Sequence, residues 1–149
     1  AGLMTTKQEY ALALEIALGA GLQNIVVDRE EDGKAVIQFL KRREGGRATI
    51  LPIATIRPHA LREGEALSRQ PGFVGVADRL VSFDRRYQNI FSNLLGRVAV
   101  MEDLDCAIAA ARKAVEDCAS FQEILVTRAG CTISSHCGPG TLGILFIRK

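Results

Sequence analysis

The sequence predicts a mixed α/β fold (α+β in its detail) built from two related lobes, with mixed sheets and flanking helices. Helical and strand-like segments alternate along the chain, which favours α/β or α+β over all-β. One unit of that pattern occurs twice. Hydrophobic residues make up 48% and charged residues 24% of the 149 residues, so the chain can form one compact domain or two small lobes that share a core.

The repeated unit consists of a helix, a glycine stop, a short strand, an acidic turn and a second helix. Its copies lie near residues 10–40 and 87–112. Each copy begins with a tyrosine and has a glycine at the same distance further on, Gly19 in the first copy and Gly96 in the second. An offset of about 77 residues exceeds the usual solenoid periods, so it predicts two similar half-domains.

The first half of the chain is expected to form two helices and two strands. Apolar residues spaced for a helix are followed by a glycine stop, and a short β-branched run comes next. The expected helices cover residues 3–18 and 30–43, and the expected strands cover residues 24–27 and 48–51.

The second half is expected to begin with an irregular segment and then to repeat the pattern. Asp84 has the position and chemistry of a helix N-cap. The expected irregular segment covers residues 62–71, the helices cover residues 85–95 and 104–118, and the strands cover residues 72–77, 98–101, 124–127, 131–134 and 141–147.

A basic run, Lys41, Arg42 and Arg43, ends the second expected helix, and Arg47 follows it closely. Cations at a helix C-terminus interact favourably with the helix dipole, so the run has a local explanation. The alternative is a patch that contacts DNA phosphates. The net charge of +2 gives no global field for nucleic acid, so such a contact would be local.

The sequence predicts no metal site, no cofactor and no membrane span. Four cysteines, Cys106, Cys118, Cys131 and Cys137, lack paired ligand spacing, and no second cluster would complete a zinc site beside His136. No apolar run approaches the roughly 20 residues that span a bilayer. The first residues lack the basic region of a signal peptide, so a reducing cytoplasm with free thiols is expected.

No enzyme is expected either. Residues 138–143 match G-x-G-x-x-G, but a strand-like run follows where a dinucleotide site needs a helix N-terminus. Ser135 and His136 point to opposite faces of an extended chain, and no nearby carboxylate would orient the imidazole. An anion pocket lined by Ser135, His136, Gly138 and Gly140 fits these residues better, and a plain turn is the alternative.

Residues 3–112 resemble the hinge domain of bacterial SMC (structural maintenance of chromosomes) proteins. The matching blocks are EYALALEIALGAGLQNIVVD, AVIQFLKRREGGRATILPIATI and GFVGVADRLVSFDRRYQNIFSNLLGRVAVMEDLDCAIAAARK. The resemblance implies a two-lobed module that forms a homodimer, joins two coiled coils and contacts DNA with basic surface. The residues expected at a DNA contact are Lys41, Arg42, Arg43 and Arg47.

From about residue 114 the sequence resembles the C-terminal end of DegV-type fatty-acid-binding proteins. Their T-H-T-G-P-G motif corresponds to Ser135-His-Cys-Gly-Pro-Gly140, and the glycine-rich segment expected at a hinge dimer interface is missing. The resemblance implies that Ser135 and His136 lie near a fatty-acid carboxylate, so a fatty acid or another small anion is the alternative ligand. We expect residues 1–113 to form the hinge-like region and residues 114–149 a DegV-like segment of the same domain, in an engineered chimera; a natural fusion is the alternative.

Overall fold

The computed structural model describes residues 2–61 and 64–127. Within these residues helices and strands alternate over most of the chain, as the sequence predicts. In chain order the elements are β1 Met4–Thr6, α1 Gln8–Leu18, β2 Ile25–Val27, α2 Glu30–Arg42, β3 Ile50–Pro52, α3 Gly64–Ser68, β4 Phe73–Val76, β5 Val81–Phe83, α4 Gln88–Leu95, β6 Ala99–Met101 and α5 Leu104–Cys118. Short 3-10 turns cover Gly19–Gln23, Ala77–Arg79 and Arg85–Tyr87.

In the described part of the chain the strands form three ladders of two strands each. β1 pairs antiparallel with β5, and β4 pairs antiparallel with β6. β2 and β3 are parallel, with Ile25 opposite Ile50. Parallel neighbours need a crossover connection, and α2 supplies it. The first lobe therefore contains a β-α-β unit.

The core lies where α1 packs against α4. Leu14 on α1 and Ile90 and Leu95 on α4 are almost completely buried. The rings of Phe83 and Phe91 stack with their centroids 4.4 Å apart. Both halves of the chain contribute to this one cluster, whose buried members are Leu14, Ala77, Val81, Tyr87, Ile90, Phe91, Leu95 and Val100.

Residues 57–61, which follow β3 and lead towards α3, lie against the last turn of α4. The backbone N–H of His59 donates to the Ser92 carbonyl at 3.3 Å, and the N–H of Leu61 donates to the Gly96 carbonyl at 3.0 Å. The hydroxyl of Ser92 donates to the His59 carbonyl at 3.3 Å. A Cβ on Gly96 would collide with that carbonyl oxygen, so a residue without a side chain is required there.

Glycine therefore occupies the two equivalent positions of the sequence repeat for different structural reasons. Gly19 has φ of +47° and open space around it, so its backbone conformation favours glycine at the end of α1. Gly96 has φ of −67°, which any residue adopts, and its constraint is the close approach of residues 57–61.

Two predictions of secondary structure were wrong, one near the start of the chain and one near its middle. Residues 4–6 form strand β1 rather than the first turn of a helix, because they pair with β5 and the Thr6 hydroxyl donates to the Leu80 carbonyl at 2.7 Å. The segment 62–71 is not wholly irregular, because α3 lies within it. The predicted strands at residues 24–27, 48–51, 72–77 and 98–101 correspond to β2, β3, β4 and β6 with small shifts of their ends.

The expected buried strand at residues 124–127 is also absent from the described structure. The chain leaves α5 in an extended conformation at Ala119 and forms no ladder up to residue 127. Leu125 is 76% exposed because no described strand lies beside it. The strands expected at residues 131–134 and 141–147 lie outside the described residues, as do Cys131 and Cys137. Cys106 and Cys118 are free thiols.

Carboxylates cap two of the expected helical segments. Asp84 accepts a hydrogen bond from the Arg86 N–H at 2.9 Å, as predicted, although a 3-10 turn precedes α4. Asp103 accepts one from the Cys106 N–H at 2.7 Å and starts α5. This hydrogen bond lowers the pKa of Asp103, because it stabilises the ionised carboxylate.

Leu95→Ala is expected to lower the free energy of unfolding by about 2–5 kcal/mol, because the side chain is fully buried and the residue leaves a cavity. Leu104→Ala is the matched control, since its side chain is 53% exposed, and its effect should stay within about 0.5 kcal/mol. Urea unfolding followed by circular dichroism measures both. Equal losses in the two variants would contradict the assignment of the core.

Asp103→Asn is expected to reduce the acid sensitivity of the protein. The folded-state pKa of Asp103 is lowered, so its stabilising effect is present above the unfolded-state pKa near 3.8 and is lost as the pH falls through the folded-state pKa. Asparagine keeps a capping oxygen but does not titrate. Urea midpoints measured from about pH 6 to about pH 2 should therefore converge for the two proteins at low pH. Curves that remain parallel throughout would refute this role.

Candidate interaction surfaces

The basic residues predicted from the sequence lie at the C-terminal end of α2. Lys41 and Arg42 belong to its last turn, Arg43 follows as the capping residue, and Arg47 lies beyond the next turn. All four side chains are exposed. Among the described residues none of them forms a salt bridge, and the guanidinium of Arg43 lies over the Phe39 ring at 5.2 Å. We call these four residues the basic end of α2.

The opposite end of α2 has paired charges. Lys34 contacts Glu30 at 2.8 Å, and this hydrogen bond lowers the pKa of the Glu30 carboxyl. Arg29 lies 3.6 Å from Asp32. Opposite charges therefore neutralise each other at the N-terminal end, while the basic end remains available to external anions. Exposed, unpaired cations are the groups that contact nucleic acid phosphates.

A tight turn connects the basic end of α2 with the next strand. Glu44 and Gly46 have positive φ angles of 50° and 81°. The N–H of Gly45 donates to the Leu40 carbonyl at 2.9 Å, which closes the helix end. Arg47 directly follows this turn. The four cations therefore belong to one short stretch of chain that consists of the helix end and the turn.

The outer face of α1 is an apolar surface that the sequence did not predict. Leu14 and its neighbours on the inner face pack into the core. On the other side Leu12 is 69% exposed and Ile16, one turn later, is 62% exposed. A helix that is apolar on both sides is normally covered on both sides. Leu12 and Ile16 together form the outer apolar face of α1.

Two of the open grooves in the part of the chain that the structure describes include both Arg79 and Leu80. The larger, of about 1010 Å³, lies beside α3 and β4. The smaller, of about 380 Å³, lies beside β1 and the start of α1. None of the described residues that line these grooves is one that the sequence predicted to bind a ligand.

The predicted ligand-binding residues Ser135, His136, Gly138 and Gly140 lie outside the described residues. Within residues 2–61 and 64–127, no group of three or more histidine, cysteine or acidic side chains could hold a metal ion. No helix in that part of the chain is both long enough and apolar enough to cross a membrane.

Comparison with known proteins gives a consistent match. The family model described as "SMC proteins Flexible Hinge Domain" matches residues 1–111. The chromosome partition protein Smc of Bacillus subtilis is 46% identical over 104 residues, which cover 68% of this chain and 9% of that protein. The Smc protein of Lactiplantibacillus plantarum is 42% identical over 135 residues, 89% of this chain and 11% of that protein. The chain thus spans about a tenth of these relatives, and the second alignment extends past residue 113.

Solved structures show the same fold. An asymmetric dimer of the Geobacillus stearothermophilus SMC hinge domain matches with a TM-score of 0.71 and 41% identity, over 76% of this chain and 47% of that one. The Pyrococcus furiosus SMC hinge domain matches with a TM-score of 0.59 and 27% identity, over 70% of this chain and 54% of that one. These matches confirm the predicted mixed α/β fold.

Proposed function

The chain belongs to the family of SMC flexible hinge domains, and we propose that it is the dimerisation hinge of a chromosome partition protein. A hinge domain is a non-catalytic part of an SMC protein. The observation that carries the proposal is the family match over residues 1–111, together with the likeness to a hinge domain solved as a dimer. A protein that acts on a bacterial chromosome would lie in the cytoplasm, which is the compartment that the sequence predicts.

The surface that we assign to dimerisation is the outer apolar face of α1. Leu12 and Ile16 are the two most exposed large apolar residues on one helix face in the described part of the chain. Covering them with a second copy would remove apolar area from water without disturbing the core, because Leu14 and its neighbours point inward.

The surface that we assign to DNA is the basic end of α2. Its four exposed cations have no ion-pair partner among the described residues, so binding phosphate breaks no internal salt bridge. Contacts of this kind are independent of base sequence and weaken with salt. The relatives named as chromosome partition proteins make DNA the appropriate polyanion.

A second candidate function concerns residues 114–149, which we propose as a DegV-like segment joined to the hinge in an engineered chimera. The Ser135-His-Cys-Gly-Pro-Gly140 motif supports binding of a fatty acid or another small anion through Ser135, His136, Gly138 and Gly140. The alignment with Lactiplantibacillus Smc covers 89% of the chain and so includes part of this segment, which favours continuity with the hinge. The hinge function is therefore the primary proposal.

Replacing both Leu12 and Ile16 by aspartate is expected to convert the dimer to a folded monomer. Loss of two apolar anchors should raise the dissociation constant by more than about 30-fold. Size exclusion with light scattering at several concentrations measures it, and circular dichroism checks the fold. The control places aspartate at Ile37 and Leu104, two exposed positions on other helices. A wild-type protein that is monomeric throughout would contradict dimerisation, and an unaffected dimer would contradict this surface.

Lys41→Ala combined with Arg42→Ala is expected to weaken binding to a short DNA duplex and to flatten its salt dependence. Two lost phosphate contacts should reduce the slope of log affinity against log salt by about 2. Fluorescence anisotropy over a salt series gives both quantities. Lys34→Ala with Lys113→Ala removes the same charge from other positions and should change the slope less. Equal slopes for the two double variants would count against the basic end of α2.

A further inference from the structure

The smaller groove is lined by hydroxyl groups and cations from two stretches that lie far apart in the sequence. Thr5 on β1 lies opposite Ser82 on β5, so their exposed side chains share one face of the ladder. Lys7 directly precedes α1, and Arg79 ends the 3-10 turn between β4 and β5. None of the residues that the structure describes as lining this groove is acidic. The groove is therefore a concave surface of one charge sign.

Hydrogen bonds hold the two stretches together and position Arg79. The Thr6 hydroxyl donates to the Leu80 carbonyl at 2.7 Å, and the Leu80 N–H donates to the Ala77 carbonyl at 3.1 Å, which closes the turn. The Thr6 hydroxyl is thus used inside the protein. The hydroxyls of Thr5 and Ser82 have no hydrogen-bond partner among the described residues, so they are available to a ligand.

The two cations of the groove differ in their internal partners. Arg79 is exposed and forms no salt bridge with any described residue. Lys7 lies 3.6 Å from the Glu9 carboxylate, and both of these side chains are largely exposed. An exposed ion pair of this kind is weak, because solvent and salt screen it. An external anion can therefore compete with Glu9 for Lys7 and meets no competitor at Arg79.

These donors match the chemistry of a phosphate group. Phosphate combines close to two negative charges with several strong acceptor oxygens. A guanidinium group can donate to two of those oxygens at once, whereas an ammonium group acts as a point charge. A cleft lined by one charge sign also raises the local concentration of the opposite ion. The volume of about 380 Å³ lies in the range of small-ligand sites.

We propose that the smaller groove is a binding site for a phosphate group. Arg79 and Lys7 bind its charge, and the hydroxyls of Thr5 and Ser82 donate to its oxygens. A free nucleotide and the backbone of DNA present the same group, so both are sources of the ligand. The site uses neither the outer apolar face of α1 nor the basic end of α2. The inference therefore does not depend on the surfaces assigned to dimerisation and to DNA.

Titration of the isotope-labelled protein with inorganic phosphate, at constant ionic strength and followed by NMR, tests the proposal. The backbone amides of Thr5, Lys7 and Ser82 should shift along one saturable curve. Arg79→Gln should raise the dissociation constant by about tenfold or more, because a charged hydrogen-bond donor is lost. Arg85→Gln is the matched control, since it removes the same charge from an exposed residue outside the groove, and its effect should stay within about twofold.

Glu9→Gln gives a second test, whose expected result cannot arise from damage to the fold. Removal of the carboxylate beside Lys7 should lower the dissociation constant for phosphate by about two- to fivefold, because the competing internal anion is lost. Glu15→Gln changes the net charge by the same amount at another exposed position of α1 and should have a smaller effect.

Two further titrations identify the source of the phosphate. Adenosine monophosphate that shifts the same three amides and leaves DNA binding unchanged would identify a free nucleotide as the ligand. A short DNA duplex that displaces inorganic phosphate from these amides, in the unmodified protein but not in Arg79→Gln, would identify the DNA backbone.

Three results would overturn the proposal. In the first, phosphate produces no saturable shift of the three amides. In the second, Arg79→Gln and Arg85→Gln weaken binding equally, which would mean that only the net charge matters. In the third, Glu9→Gln binds phosphate no more tightly than Glu15→Gln, which would mean that the anion does not lie beside Lys7.

Discussion

The close approach of residues 57–61 to the last turn of α4 fixes where the segment between β3 and α3 lies against the second half of the chain. It combines backbone hydrogen bonds at His59 and Leu61 with a position, Gly96, that tolerates no side chain. The buried residues of the same helix, Ile90, Phe91 and Leu95, form the centre of the core. α4 therefore contacts residues 57–61 with its last turn and the core with its buried side chains, so one helix positions both.

This arrangement leaves separate surfaces for interaction. Core packing uses the inner face of α1, so Leu12 and Ile16 remain on the outer face. α2 packs beside β2 and β3 through the small residue Gly33, and its charged ends extend into solvent. The apolar surface and the basic surface therefore lie on different helices of the same lobe, and a second copy and a polyanion need not compete for them.

Local sequence signals predicted most elements, and non-local contacts explain the errors. The bounds of α5 follow from the Asp103 cap and an unbroken helical pattern, so they were predictable. Residues 4–6 were assigned to a helix because their pairing with β5 involves residues far along the chain. The basic end of α2 was predictable from a charge run, whereas the outer face of α1 was missed because a one-dimensional pattern assigns every apolar helical residue to the core. The exposure of Leu125 was missed for the same reason, since burial depends on the presence of a neighbouring strand.

The ladder between β1 and β5 has a consequence for the order of folding. Met4 lies opposite Phe83, so this ladder closes a long loop, whereas the β2-α2-β3 unit closes a much shorter one. Closing a longer loop carries a larger loss of chain entropy and slows the formation of the contact. During synthesis the first strand leaves the ribosome well before its partner exists. The beginning of the chain must therefore remain unpaired until residues 81–83 have been made, whereas the β2-α2-β3 unit can form before then.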